Sequence, residues 1–280
     1  MKAGLSIADC ERLVASYPYA FRPSFRRRVA LTAGVAVGFG AFCFGVLRLD
    51  FDFGRLGSGF RQLAWFLELM VPPSPGQHLT VYLYAMGETL AIAFLGTLLA
   101  SAFAFVAGFC AARNVLPIWI ARFSTRRLFD AIRGIDMLVW ALIWINVVGL
   151  GPFAGVLAIA TSDFGALGKL FSEAIETIDE RQIDGVRAAG GGRISEIRFG
   201  VVPQVLPIVA GQILYFIESN TRSATIIGIV GAGGIGLHLA EQIRTLEWRQ
   251  VSFIVLLILG AVAAIDFVSS RLRAGMTISG

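Results

Sequence analysis

Residues 81–111 read VYLYAMGETLAIAFLGTLLASAFAFVAGFCA, and Glu88 is the one Asp, Glu, Lys or Arg among them. As a helix rising 1.5 Å per residue this run extends about 45 Å, ample to cross a hydrocarbon layer roughly 30 Å thick. Further apolar runs of twenty residues or so recur along the chain. An outer-membrane barrel would show short alternating segments instead of continuous runs. Composition agrees: 56% of the 280 residues are hydrophobic and 15% charged, with a mean hydropathy of +0.73, where a soluble domain carries about a quarter charged residues. The chain is read as an all-α, polytopic membrane protein.

Outward from that run, six crossings are expected, at about 29–47, 81–111, 130–148, 153–170, 201–220 and 251–270. The leading segment 1–28 is basic and too long for a signal-peptide n-region, and no small-x-small site follows it, so the first span is expected to be retained. Lys2, Arg12, Arg22, Arg26, Arg27 and Arg28 precede the first span. Arg113, Arg122, Arg126 and Arg127 follow the second; Lys169, Arg181, Arg187, Arg193 and Arg198 follow the fourth; Arg271 and Arg273 follow the last. Six crossings bring all four groups to one face, which the positive-inside rule makes the cytoplasm, with both termini there. A five-span arrangement would leave one basic end outside and fits the charges less well. The net charge of +5 is explained the same way, without nucleic acid. Residues 48–79 become an external loop, broken by Pro72, Pro73 and Pro75. Phe60, Leu63, Trp65, Phe66 and Leu69 have near-helical spacing there, so a plain loop and an interfacial helix both fit. Cys10, Cys43 and Cys110 offer neither metal spacing nor a disulfide framework, and His78 and His238 stand far apart, so no metal site is expected.

Between the fourth and fifth spans the chain is charged yet helix-patterned. Ile175, Ile178, Ile183, Val186, Ala189, Ile194 and Ile197 supply the apolar positions, interrupted by Gly190, Gly191 and Gly192. A glycine triplet costs a helix about 1 kcal/mol per residue relative to alanine, so a sharp turn between two short helices is expected. Such a helix, with an exposed apolar stripe, has the shape of an element that docks into a partner's cleft.

This segment resembles the cytoplasmic signature of the permease subunits of binding-protein-dependent ABC importers. Asp184, Gly190 and Pro203 stand at the signature's spacings, with Gly185-Val186 in place of Ala-Ala, Gly200 for isoleucine and Val202 for leucine. Residues 216–225 (FIESNTRSAT), 228–236 (GIVGAGGIG), 149–155 (GLGPFAG), Asp266-Phe267 and 270–273 (SRLR) resemble the phosphonate-type branch, in which the acidic-Gly-Val form is usual. The resemblance covers roughly 80–273, leaving 1–28, the first span and the 48–79 loop outside the core domain. It implies a bacterial inner-membrane subunit that pairs with a second copy of itself. Two cytoplasmic ATPase subunits would carry ATP and Mg, an external binding protein would deliver phosphonate or a related phosphorus oxyanion, and this chain would bind no cofactor. It further implies that 184–207 couples to the ATPase, through Asp184, Gly185, Arg187, Ala188, Ala189, Gly190 and Pro203.

Other motifs carry weaker signals. Residues 231–236 match G-x-G-x-x-G, but no strand precedes them and no acidic residue follows at the dinucleotide-site distance. The glycines Gly231, Gly233 and Gly234 suit either a broken segment exposing N–H groups to an anion or close helix packing. Glu218 and Arg222, one turn apart at the expected end of the fifth span, form either a structural pair or part of a substrate pathway with Asn220, Ser223 and Thr225. Glu88 and Asp266 are expected to pair or face a cavity, Asp163 to pair or meet water, and Asp136 to pair with Arg133. No P-loop, HExxH or Gly-x-Ser-x-Gly occurs, so the chain is not read as an enzyme. An ion-driven secondary transporter of small anions would require inverted repeats and mid-span carboxylates, which are not evident. A membrane enzyme or scaffold has no use for the docking segment.

Overall fold

A computed structural model describes Ser16 and residues 25–49, 53–115 and 118–278. The basic residues Lys2, Arg12 and Arg22, the cysteine Cys10 and the acidic pair Asp50 and Asp52 lie outside them. The chain divides into two compact units, 1–65 and 66–280. In the first, helix α1 (Phe25–Arg48) carries a stretch long and apolar enough to cross a membrane, none of it buried. Helix α2 (Phe53–Leu69) begins in this unit and occupies the expected loop.

The second unit is helical throughout its described residues. Its elements are α3 (Leu79–Ala111), α4 (Trp119–Arg133), α5 (Met137–Val148), α6 (Pro152–Glu176), α7 (Glu180–Ala188), the short α8 (Arg193–Ser195) with a π-wound turn (Glu196–Val201), α9 (Val202–Ile229), α10 (Ile235–Arg244) and α11 (Trp248–Ile278). Among the described residues five helices are long and apolar enough to cross a membrane, or six if the bent pair α4–α5 forms one crossing.

Helices α3 and α6 form the centre. Lipid gives helices no hydrophobic incentive to associate, so close packing between small residues must do it. A Cβ on Gly96 would lie 2.7 Å from Ile159, and one on Gly108 3.2 Å from Phe171. Three buried clusters follow along α3. Ala100 and Ala104 pack with Leu167, Phe171 and Val205 near the basic end; Ile92 and Ala93 pack with Ile159 and Ile227 in the middle; Tyr82 and Met86 pack with Ile235 and Ile254 at the far end.

Two expected crossings differ from the structure. The third does not run from residue 130, because α4 and α5 meet at an 89° bend. Gly134 weakens the helix there, and Asp136 adopts extended backbone and accepts the Leu138 N–H at 2.8 Å. Asp136 thus caps α5 instead of pairing with Arg133. The fifth span does not end at Asn220 but continues as helix to Ile229. Its polar residues stay helical because Thr221 and Thr225 donate to the carbonyls of Ile217 and Thr221, one turn back.

The turn after α9 is a packed knot. A Cβ on Gly236 would sit 2.0 Å from the Thr225 carbonyl and one on Gly228 2.5 Å from that of Gly233, so α9 and α10 meet backbone to backbone. Gly236→Ala is therefore expected to destabilise the folded chain by about 1–3 kcal/mol, as overpacking does, seen as a lowered melting temperature in detergent. Gly87→Ala, with open space around it, should leave the melting temperature unchanged or raise it.

Candidate functional site

The basic end carries a helical hairpin built from residues 179–204. Asp179 starts α7 by accepting the Arg181 N–H at 3.0 Å. The helix stops in a Schellman arrangement: Gly191 N donates to Val186 O and Gly190 N to Arg187 O, both at 3.0 Å. Gly190 takes φ +83° to make this turn, a conformation that side chains with a Cβ resist. The chain then doubles back, and Arg187 locks the two arms, with Nε 2.9 Å from Glu196 Oε1 and Nη1 3.2 Å from Asp184 Oδ1. The Glu196 hydrogen bond raises the Arg187 pKa further above its ordinary value. Ile183 packs over Gly200, where a Cβ would lie 3.2 Å from the Ile183 backbone, which accounts for glycine at this signature position.

The hairpin differs from the expected segment 184–207 in two respects. Its helix begins four residues earlier, at Glu180, because Asp179 caps it there. Ile183 and Val186 turn inward against the second arm rather than forming an exposed apolar stripe. The exposed surface is instead made of Asp184, Gly185, Ala188, Ala189 and Gly190, with Ile194 83% exposed at the tip.

Pro203 lies in the first turn of α9, where a missing N–H costs little. It offers no N–H to the Phe199 carbonyl one turn back, and the π-wound turn ends just before it. Gln204 clamps the base of the hairpin, donating to Gly200 O at 2.7 Å and accepting the Asp179 N–H at 2.9 Å. Sequence reasoning missed Glu196 and Gln204, because neither belongs to a spaced motif and each acts across a fold-dependent gap.

The eight expected pathway residues separate. Asn220, Thr225, Gly231, Gly233 and Gly234 are buried. Two N–H groups of the glycine turn have partners on α3: Gly234 N donates to Glu88 Oε1 at 3.2 Å and Ile235 N to Thr89 Oγ1 at 2.8 Å. The glycines also let the turn approach Thr89 and Pro152 more closely than a Cβ would allow. Asn220 donates to Thr97 Oγ1 at 2.7 Å and to the Asp163 carboxylate, tying α9 to α3 and α6. Asp163 and Asn220 are 3% and 2% exposed, so burial makes each depend on the other.

Glu218 is buried as well, whereas Arg222 is exposed and Ser223 half-buried. Glu218 faces two cations, Arg273 Nη2 at 3.1 Å and Arg222 Nη2 at 3.8 Å. Arg273, from α11, entered the sequence reading as a flanking cation and as part of a resemblance; that it reaches Glu218 depends on how α11 returns along α9. A cavity of about 540 Å³ opens beside this cluster, lined by Leu170, Pro207, Gly211, Gln212, Tyr215 and Arg273. The Gln212 Oε1 atom is buried there without a hydrogen-bond partner among the described residues.

The fold and these sites define a polytopic α-helical membrane subunit with a helical hairpin at its basic end. The chain belongs to the family of binding-protein-dependent transport system inner membrane components, whose model matches residues 100–275. It is 40% identical over 249 residues to a Stutzerimonas stutzeri protein provisionally named a phosphite transport system permease protein, HtxC, covering 89% of this chain and 87% of that one. It is 38% identical over 205 residues to the phosphate-import permease protein PhnE of Mycolicibacterium smegmatis, covering 73% of this chain and 38% of that one. The inward-facing MetNI methionine ABC transporter shares the fold, with a TM-score of 0.62 at 18% identity over 72% of this chain and 99% of the solved one.

Removing the Asn220 amide leaves the Asp163 carboxylate without its donor. Asn220→Ala should cost about 1–3 kcal/mol, measured as a melting-temperature loss. The swap Asp163→Asn with Asn220→Asp should recover most of it.

Proposed function

We propose that the chain is the permease subunit of an ATP-driven importer of phosphorus oxyanions: phosphonate, phosphite or phosphate. Two copies form the pathway, the uncovered face of α9 faces the partner copy, and both termini lie in the cytoplasm. Family membership supports the transport role, and the names of the relatives support the cargo class.

The observation that carries the mechanism is the hairpin closed by Arg187–Glu196. A short helix held rigidly to the base of α9 transmits a push on its exposed face directly into a span. That exposed face is small and flat at Gly185, Ala188 and Ala189, which suits insertion into a cleft of a separate ATPase. ATP and Mg belong to that partner. A motor is needed because moving an anion inward against an inside-negative potential costs roughly 2.3 kcal/mol per charge per 100 mV.

Cargo enters beside Arg222, whose guanidinium is half exposed and 3.8 Å from Glu218, so that an oxyanion can compete with Glu218 for it. An external binding protein delivers the ligand.

The test is uptake into proteoliposomes holding the chain, its ATPase and its binding protein. Uptake of phosphite, phosphate or methylphosphonate should require ATP; uptake driven by an ion gradient without ATP would overturn the reading. Gly190→Val forces a β-branched residue into a left-handed turn and should abolish uptake and binding-protein-stimulated ATP hydrolysis while the chain still inserts. Arg222→Gln should reduce uptake roughly tenfold, the loss of one charge-assisted hydrogen bond, with ligand affinity of the binding protein unchanged.

A further inference from the structure

Helix α4 carries Arg122, Arg126, Arg127, Asp130 and Arg133 within its 15 residues, and the 89° bend turns it nearly perpendicular to α5. It lies level with the ends of two spans, because Arg126 reaches both the Ala111 carbonyl at 3.1 Å, at the end of α3, and Glu176 at 2.6 Å, at the end of α6. It is pressed against α6 by Phe129, whose ring fills the space a Cβ on Gly168 would occupy. The opposite side is open. Trp119 is 62% exposed and Ile120 69%, and Phe123 and Leu128 are exposed with them. Trp119 stacks on Phe123 at 5.3 Å, and the guanidinium of Arg127 lies 5.3 Å above the same ring.

An exposed aromatic and aliphatic face on a helix set across the bundle's basic end, edged by cations, has the composition of a helix lying at the lipid–water boundary. Beside it lies a pocket of about 130 Å³ lined by Arg126, Arg127, Phe129, Asp130 and Lys169. Asp130 Oδ1 meets Lys169 Nζ at 3.0 Å and Asp130 Oδ2 meets Arg127 Nη1 at 3.3 Å. Two cations thus converge on one carboxylate, and Arg133 adds its field to them. Basic pockets between helices at a membrane surface are suited to phosphate headgroups.

We propose that α4 and the basic end of α6 form a binding site for the phosphate headgroup of an anionic phospholipid. Arg127 and Lys169 meet the phosphate, and Trp119, Ile120 and Phe123 lie along the upper acyl chains. The site orients α4 and, through Phe129 against α6, holds the base from which the α7 hairpin projects. It depends on α4 lying against the ends of α3 and α6 and on no assignment of cargo.

The experiment is native mass spectrometry of the full chain, delipidated in detergent and titrated with phosphatidylglycerol or phosphatidylcholine of matched acyl chains. Phosphatidylglycerol adducts should form at concentrations at least fivefold lower than phosphatidylcholine adducts. Arg127→Gln with Lys169→Gln should abolish that preference, and Asp130→Asn, which removes the competing carboxylate, should strengthen it. Excess glycerol 3-phosphate should leave the adducts in place. Equal binding of the two lipids, a preference surviving the double substitution, or displacement by glycerol 3-phosphate would each overturn the proposal, the last by making this a site for soluble phosphates. Should the double substitution instead weaken co-purification of the ATPase with no change in lipid preference, α4 is a protein-docking surface and the proposal fails. None of these readouts requires transport, so they stand or fall apart from the importer assignment.

Discussion

The close approach of α3 and α6 is the constraint on which the other elements depend. Neither helix gains from leaving water, because both are surrounded by apolar material whether packed or apart. What holds them is contact at Gly96 and Gly108, where Ile159 and Phe171 occupy the space that side chains would need. With that pair fixed, the Asn220–Asp163–Thr97 cluster sets the register of α9. Phe129 against Gly165 and Gly168 seats α4, and the glycine knot after Ile229 seats α10 between α9 and α3. The hairpin is tied to α9 through Gln204 and to the chain just after α3 through Arg193, which donates to the Val115 carbonyl.

The two functional regions are built oppositely. The hairpin is exposed and held by charges and a glycine turn, so it can meet a partner without disturbing the core. The cluster around Glu218 is mostly enclosed, and its carboxylate is satisfied by arginines from two helices. A subunit that transmits a push from one to the other needs a stiff link, and α9 supplies it as an unbroken helix from Val202 to Ile229 despite Pro207. Pro207 costs that helix one hydrogen bond to Pro203 O, next to the cavity where the Gln212 Oε1 atom lacks a partner among the described residues.

The membrane class, the number of apolar runs and the hairpin turn were legible in the sequence, because each rests on local composition or on glycines at fixed offsets. Helix ends were less so. Residues 130–148 looked continuous in hydropathy, and only the cap by Asp136 reveals the break, an interaction no stronger in sequence than the pairing with Arg133 that was expected instead. Ile183 and Val186 were read as an outward stripe because periodicity identifies a face but not the direction it points. The glycines 231, 233 and 234 fitted two readings, and the side chains the turn meets, Glu88 and Thr89, lie about 145 residues away in sequence. Arg273 and Glu218 meet for the same non-local reason.

The central claim is that the exposed face of α7 is where force enters the chain. Single cysteines at Ala188 in the hairpin and at Ser223 on α9, in a background lacking native cysteines, test it by disulfide crosslinking to cysteines placed along the cleft of the partner ATPase. The account predicts efficient crosslinking from residue 188 that changes when ATP is bound, and none from residue 223. Absence of crosslinks from residue 188 in a complex that still hydrolyses ATP would contradict it.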